Sequence, residues 1–160
     1  MSLVKRLAYV EIEASDLPRW RVFGGEVFGC ELAAESTDDD CLKFRIDARP
    51  WRIMVSRGER DDLKVIGLEV ADQQGLNEVC ARLDRAGHAF RMATPEECAA
   101  RGVYEMCCLT DPSGIEVEVS YGGLLRPQQP FCAAVDHGGF VTGDQGLGHL
   151  MLVVDDPRQV

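Results

Sequence analysis

The sequence predicts an α+β fold made of two consecutive βαβββ modules. Apolar residues alternate with polar ones in several short segments, which is the period of half-buried strands. Two segments with helical spacing each follow a strand of this kind. The whole order of elements then recurs, so residues 3 to 121 read as an internal duplication.

The first module opens with Ala8, Val10, Ile12 and Ala14 alternating with Tyr9, Glu11 and Glu13. Asp16 suits a helix cap and Pro18 the first turn that follows. Trp20, Phe23 and Val27 form one apolar stripe, expected to face the core. Gly24 and Gly25 are costly inside a helix, which points to close packing there. Gly29 fits the left-handed residue that ends a helix. A short strand near Leu32 follows, then CLKFRI and WRIMV, joined by the turn DARP.

The second module repeats this order. KVIGLEVAD reads as its opening strand. QGLNEVCARLDRAG reads as a helix with Leu76, Val79, Cys80 and Leu83 on one stripe and Gly87 as its stop. A short strand over residues 89–92, a polar TPEEC loop or turn of helix, and the strands VYEMCCL and IEVEVSY around a DPSG turn complete it.

Residues 1–122 therefore read as one two-module domain and residues 123–147 as a linker rich in glycine and proline. HLMLVVDDP lines up without a gap with YVEIEASDL, so residues 148–160 read as the first strand of a truncated second domain. In that alignment His149 stands where Tyr9 stands and Asp156 where the cap Asp16 stands. His149, Met151 and Val153 would share one strand face, with Leu150, Leu152 and Val154 on the other. A strand without sheet partners seeks another chain, so disorder after about Gly123 or association through the tail is expected.

Composition excludes several classes. A net charge of −10 opposes phosphate backbones and anionic lipid, so neither nucleic acid nor a membrane is expected as partner. The start, MSLVKRLAYVEIE, lacks a signal-peptide core, and no apolar run reaches spanning length. The seven cysteines have no C-x-x-C spacing and read as reduced core thiols of a cytoplasmic protein. Adjacent Cys107 and Cys108 read as packing. His88 and His137 read as surface histidines. Glu11, Glu13, Glu116 and Glu118 read as the solvated face of an antiparallel sheet.

Trp51-Arg52-Ile53, Gly58-Glu59, Asp61-Asp62-Leu63, Gly67-Leu68-Glu69-Val70, Asp111-Pro112, Gly114, Glu118 and above all GFVTGDQGLGH over 139–149 carry a resemblance. The chain resembles the type I extradiol dioxygenases of the 2,3-dihydroxybiphenyl type, within the vicinal oxygen chelate superfamily, over their N-terminal half. That resemblance implies an enzyme of two domains, each of two modules. It implies Fe(II), O₂ and an aryl catechol such as 2,3-dihydroxybiphenyl, with iron held by two histidines and one glutamate in the second domain. His149 corresponds to the first of those ligands, while Met151 and Val153 either line the catechol pocket or belong to the core of the missing domain. One ligand of three does not hold iron, so the 160-residue chain alone is expected to bind none, to contain no catalytic residue and to be inactive. Superfamily ligand positions fall at Tyr9, Val65 and Glu118 and near Met54, which reads as a vestigial first-domain pocket. A homo-oligomer is the expected assembly.

Other readings stay open. Without the motif before it, His149 reads as a lone exposed or hydrogen-bonded strand histidine. The chain also fits a stand-alone binding module of the superfamily, of the antibiotic-sequestering type. A glyoxalase-type metalloenzyme would need histidine where Tyr9 and Val65 stand.

Overall fold

The computed structural model describes residues 2–36 and 40–153. Its strands are β1 (Val4–Ala14), β2 (Glu31–Leu32), β3 (Cys41–Arg45), β4 (Ile53–Arg57), β5 (Asp62–Val70), β6 (Arg91–Met92), β7 (Glu105–Thr110) and β8 (Glu116–Tyr121). Its helices are α1 (Leu17–Val22), continued by a π-helical turn Phe23–Val27, then α2 (Gln73–Ala86) and α3 (Pro95–Arg101). Two compact units divide the chain. One holds residues 9–64 and 125–143; the other holds Val65–Leu124, the chain up to Ala8 and the chain from Asp144.

The same topology serves both units. In the first the strand order is β2-β3-β4-β1; in the second it is β6-β7-β8-β5. Each opening strand lies parallel to its own closing strand, with Val10 opposite Ile53 in one and Val65 opposite Glu116 in the other. Parallel neighbours need a crossover, which the helix and the two intervening strands provide. The remaining pairs, β2–β3, β3–β4, β6–β7 and β7–β8, are antiparallel.

Local chemistry sets the element ends. The Asp16 carboxylate accepts the Arg19 amide at the start of α1, with a proline in the first turn. Asp72 accepts the Gly75 amide at the start of α2, and Gly87 closes it at φ 74°. The TPEEC segment makes a full helix, α3, because Thr94 and Glu97 form a reciprocal capping box.

Several expectations are corrected. The Trp20, Phe23, Val27 stripe does not face the core: Phe23, Val27 and Phe28 are exposed, and Leu17 and Gly24 are the buried positions. The reason is Phe44, whose ring carbons stand 2.5 Å from where a Gly24 Cβ would lie. The helix presents its glycine to that ring and turns its aromatic side outward, where Trp20 and Phe23 meet in a T-shaped pair and Phe28 lies tilted against Phe23. The strand WRIMV begins later, at Ile53, because Trp51 turns to pack on Tyr9 with ring centroids 4.9 Å apart.

Glu11 and Glu118 are not solvated; both are more than 95% buried, because Ser56 and Lys64 satisfy the first and Arg101 the second. The linker is tied down rather than free. The Arg126 amide donates to Ala48, the Cys132 amide to Glu31 and the Leu147 amide to Leu7. Among the described residues 148–153 there is no strand, because none of the chain's strands pairs with them. Val154 and Asp156 lie outside the described residues.

The core of the second unit has two faces. Val70, Leu76, Cys107 and Val119 pack together beneath α2. Cys98, Met106 and Cys108 pack beneath α3. Neighbours on a strand point to opposite faces, so Cys107 and Cys108 serve different layers. In the first unit Leu17, Leu42, Phe44 and Val55 are buried to within 2%. Each contributes roughly 1.5–3 kcal/mol from burial.

Candidate functional site

The tail that carries His149 starts from a close backbone approach. Residues Gly143–Gln145 form one 3₁₀ turn, and Gly146 then bridges to Leu7 of β1. A Cβ on Gly146 would collide with the Leu7 carbonyl oxygen, and its φ is +62°. Only glycine meets both demands. The Leu147 amide closes the contact by donating to the same carbonyl at 3.0 Å. His149 follows on the surface, with Met151 and Val153 92% and 100% exposed. Among the described residues His149 belongs to no group of three candidate metal ligands. One imidazole beside two bare apolar side chains does not fit an iron that needs two histidines and a carboxylate.

The first-module residue Tyr9 is buried against Trp51. Next to it on β1, Glu11 accepts hydrogen bonds from the Ser56 hydroxyl at 2.8 Å and the Lys64 ammonium at 2.9 Å. A buried carboxylate is tolerable when so satisfied.

Val65 and Glu118 belong to the other unit. Val65 is fully buried at the start of the β5–β8 ladder. Glu118 stands opposite Cys108 on β7, and with Glu116 the three offer ligand atoms within 4.8 Å of one another. The chemistry of this donor set is not that of a cation cage. Arg101 of α3 lays its guanidinium on both Glu118 oxygens, Nε at 3.0 and 2.9 Å and a terminal nitrogen at 2.8 Å. Arg91 stands 3.9 Å from Glu116. Burial, helped by the Glu118 charge, pushes the Cys108 thiol up to about 11, so it keeps its proton at neutral pH. Arg101 already neutralises Glu118, Arg91 is shared between Glu97 and Glu116, no imidazole belongs to the group, and α3 covers this face of the sheet.

Composition and periodicity did not expose the second buried ion-pair group. Arg45 is 4% exposed and pairs with Glu31 at 2.7 Å; its other terminal nitrogen donates to the Gln129 carbonyl at 2.6 Å. Glu31 also accepts the Cys132 amide at 2.8 Å. The pair therefore grips the linker at two points. Arg52 is held by Asp47 through contacts of 2.9 and 2.6 Å. Burial works against Asp47, but the Arg52 guanidinium and the Arg49 amide hold its carboxyl below the usual range. The only sequence signal was an arginine at the end of one apolar strand and another just before the next.

Paired modules with parallel opening and closing strands, each crossing over through a helix, define the vicinal oxygen chelate fold. Within it, the structure superposes on a crystal structure of catechol 2,3-dioxygenase with a TM-score of 0.92 and 32% identity, covering 99% of this chain and 53% of that one. Residues 7–58 match the family model Dihydroxybiphenyl dioxygenase BphC D1. Over 153 residues the chain is 40% identical to the 3-methylcatechol 2,3-dioxygenase of Pseudomonas putida and 39% identical to an iron-dependent extradiol dioxygenase of Rhodococcus jostii. These alignments cover 96% of this chain and 52% and 50% of the relatives. The chain is similar to extradiol dioxygenases along nearly its whole length, and it spans about half the length of the curated relatives it matches.

Proposed function

We propose that the chain is the N-terminal part of an extradiol dioxygenase that uses Fe(II) and O₂ to open the ring of an aryl catechol such as 2,3-dihydroxybiphenyl. In this reading residues 1–122 are the supporting domain, 123–147 the linker and 148–160 the entry to the catalytic domain. His149 supplies the first metal ligand; Met151 and Val153 line the apolar side of the catechol pocket. Bound iron would supply the chelation of the diol and of O₂. The residues of this chain supply one imidazole, an apolar wall and a fixed approach to both. Tyr9, Val65 and Glu118 serve structure in the first domain. The whole protein is cytoplasmic, self-associating and free of nucleic-acid or membrane partners.

The observation that carries this reading is 40% identity along nearly the whole chain, ending in a histidine flanked by bare apolar residues. The test uses the product of the full reading frame that contains these residues. Bound iron and O₂ uptake with 2,3-dihydroxybiphenyl are expected, and His149→Ala removes both while circular dichroism is unchanged. Iron retained in that variant, or O₂ uptake by the 160-residue chain alone, overturns the reading.

A further inference from the structure

Three sulfur atoms converge on the α2 face of the β7–β6 edge, in the unit that starts at Val65. Met92 of β6 and Cys107 of β7 are direct cross-strand partners, so their side chains rise from one face. Cys80 of α2 lies over them. Its Sγ is 3.9 Å from Met92 Sδ, and its side chain packs against the buried cluster that holds Cys107. Leucine or valine would supply apolar volume here equally well, yet all three contributors carry sulfur.

The spacing suits a metal. An ion ~2.3 Å from each of three sulfurs, the length of a metal–thiolate bond, sets trigonal neighbours about 4 Å apart. That is the Cys80–Met92 separation. Thiolate with thioether is the donor set of soft ions, and Cu(I) is the first-row example. Access runs through Met92, 45% exposed on a two-residue edge strand, and the half-buried Cys80, while Cys107 closes the inner side.

We propose that Cys80, Cys107 and Met92 form a three-sulfur site for a soft monovalent cation of the Cu(I) type. Binding breaks two S–H bonds, releases two protons to water and forms two metal–thiolate bonds and one metal–thioether bond. The ion keeps its +1 charge, so no oxidant or reductant is needed. Burial, and the neighbouring Cys80, push the Cys107 thiol up to about 12. Without an ion the Cys107 thiol keeps its proton and is a poor target for thiolate chemistry. The site stands apart from His149 and does not depend on the proposed ring-cleaving activity.

The test is an anaerobic Cu(I) titration of purified protein against a chromophoric Cu(I) chelator. A Cys132→Ser background removes the exposed thiol. The expected result is one tight equivalent per chain, release of two protons and a raised Tm. Cys80→Ser weakens binding by roughly a hundredfold and Met92→Leu by roughly tenfold, the range that losing a contact at a bound metal costs. Both positions are partly exposed, so both variants keep the fold. Equal Cu(I) affinity in the parent, Cys80→Ser and Met92→Leu proteins overturns the proposal, as does uptake only on loss of circular dichroism.

Discussion

Arg101 and Glu118 form a forked ion pair across the second unit, joining α3 to β8 through contacts of 2.8 to 3.0 Å. Glu118 is 3% exposed and Arg101 16%. The guanidinium stands where a cation would neutralise this carboxylate, and it also fixes α3 over the sheet. Removing one partner of a buried pair costs about 3–5 kcal/mol. Arg101→Met is therefore expected to lower unfolding stability by about that amount, and Arg101→Met with Glu118→Gln to recover part of it. Chemical denaturation reads both; an unchanged midpoint in the single variant contradicts the pairing.

Gly24 tests the outward turn of the first helix. A Cβ at this position would stand 2.5 Å from the buried Phe44 ring, whereas one at Gly25 meets open space. Gly24→Ala is expected to destabilise by about 1–3 kcal/mol through overpacking. Gly25→Ala should be neutral or stabilising by up to about 1 kcal/mol. Equal thermal unfolding of the two variants would show that Phe44 does not set the helix face.

Gly146 tests the docking of the tail. Its missing side chain leaves room for the Leu7 carbonyl, while Gly143, also at positive φ, has open space around its Cβ position. In Gly146→Ala the Leu147 amide is expected to lose its protection from hydrogen exchange, with the β7–β8 amides unaffected. Gly143→Ala carries backbone strain but no collision and should preserve Leu147 protection. Protection that survives in both would remove the bridge as the anchor of residues 146–149.

Acid should reach the α3 cap only well below the ordinary carboxylate range. Hydrogen bonds from Arg91, then from the Thr94 amide, hold the Glu97 carboxyl down at about 2, against an ordinary 4.5. A depressed carboxylate contributes stability that is complete above its unfolded value and disappears as pH falls through its folded one. The cap therefore holds above about pH 4.5 and weakens toward pH 2. A carboxyl-carbon NMR titration should find the Glu97 midpoint near that lower limit and find it raised in Arg91→Met. A midpoint already near 4.5 in the parent protein would deny the bidentate contact.

Much of the architecture could be read in advance because it rests on local rules. Strand alternation, the Asp16 cap, the Gly87 stop and the DPSG turn depend on neighbours within a few residues, and all stand as expected. The capping box at Thr94 and Glu97 is equally local, and it extends the loop or turn of helix expected at TPEEC into a seven-residue helix. The first-helix stripe failed for a different reason. Spacing marks which residues share a face but not which face meets the core, and here a distant ring claimed the glycine instead.

The candidate site divides the same way. The motif ending in His149 lies in consecutive residues and could be read directly. The burial of Glu11 and Glu118, the grip of Arg45 and Glu31 on the linker and the meeting of Cys80, Met92 and Cys107 could not. By itself the sequence determined the order of elements, the duplication and the family resemblance, because periodicity, caps and motifs are properties of contiguous residues. Tertiary structure alone decided which charges are buried, which arginine neutralises which carboxylate and which sulfurs converge. Those outcomes depend on strand register and on helix–sheet contacts between residues far apart in the chain, where a shift of one residue would turn every side chain to the other face.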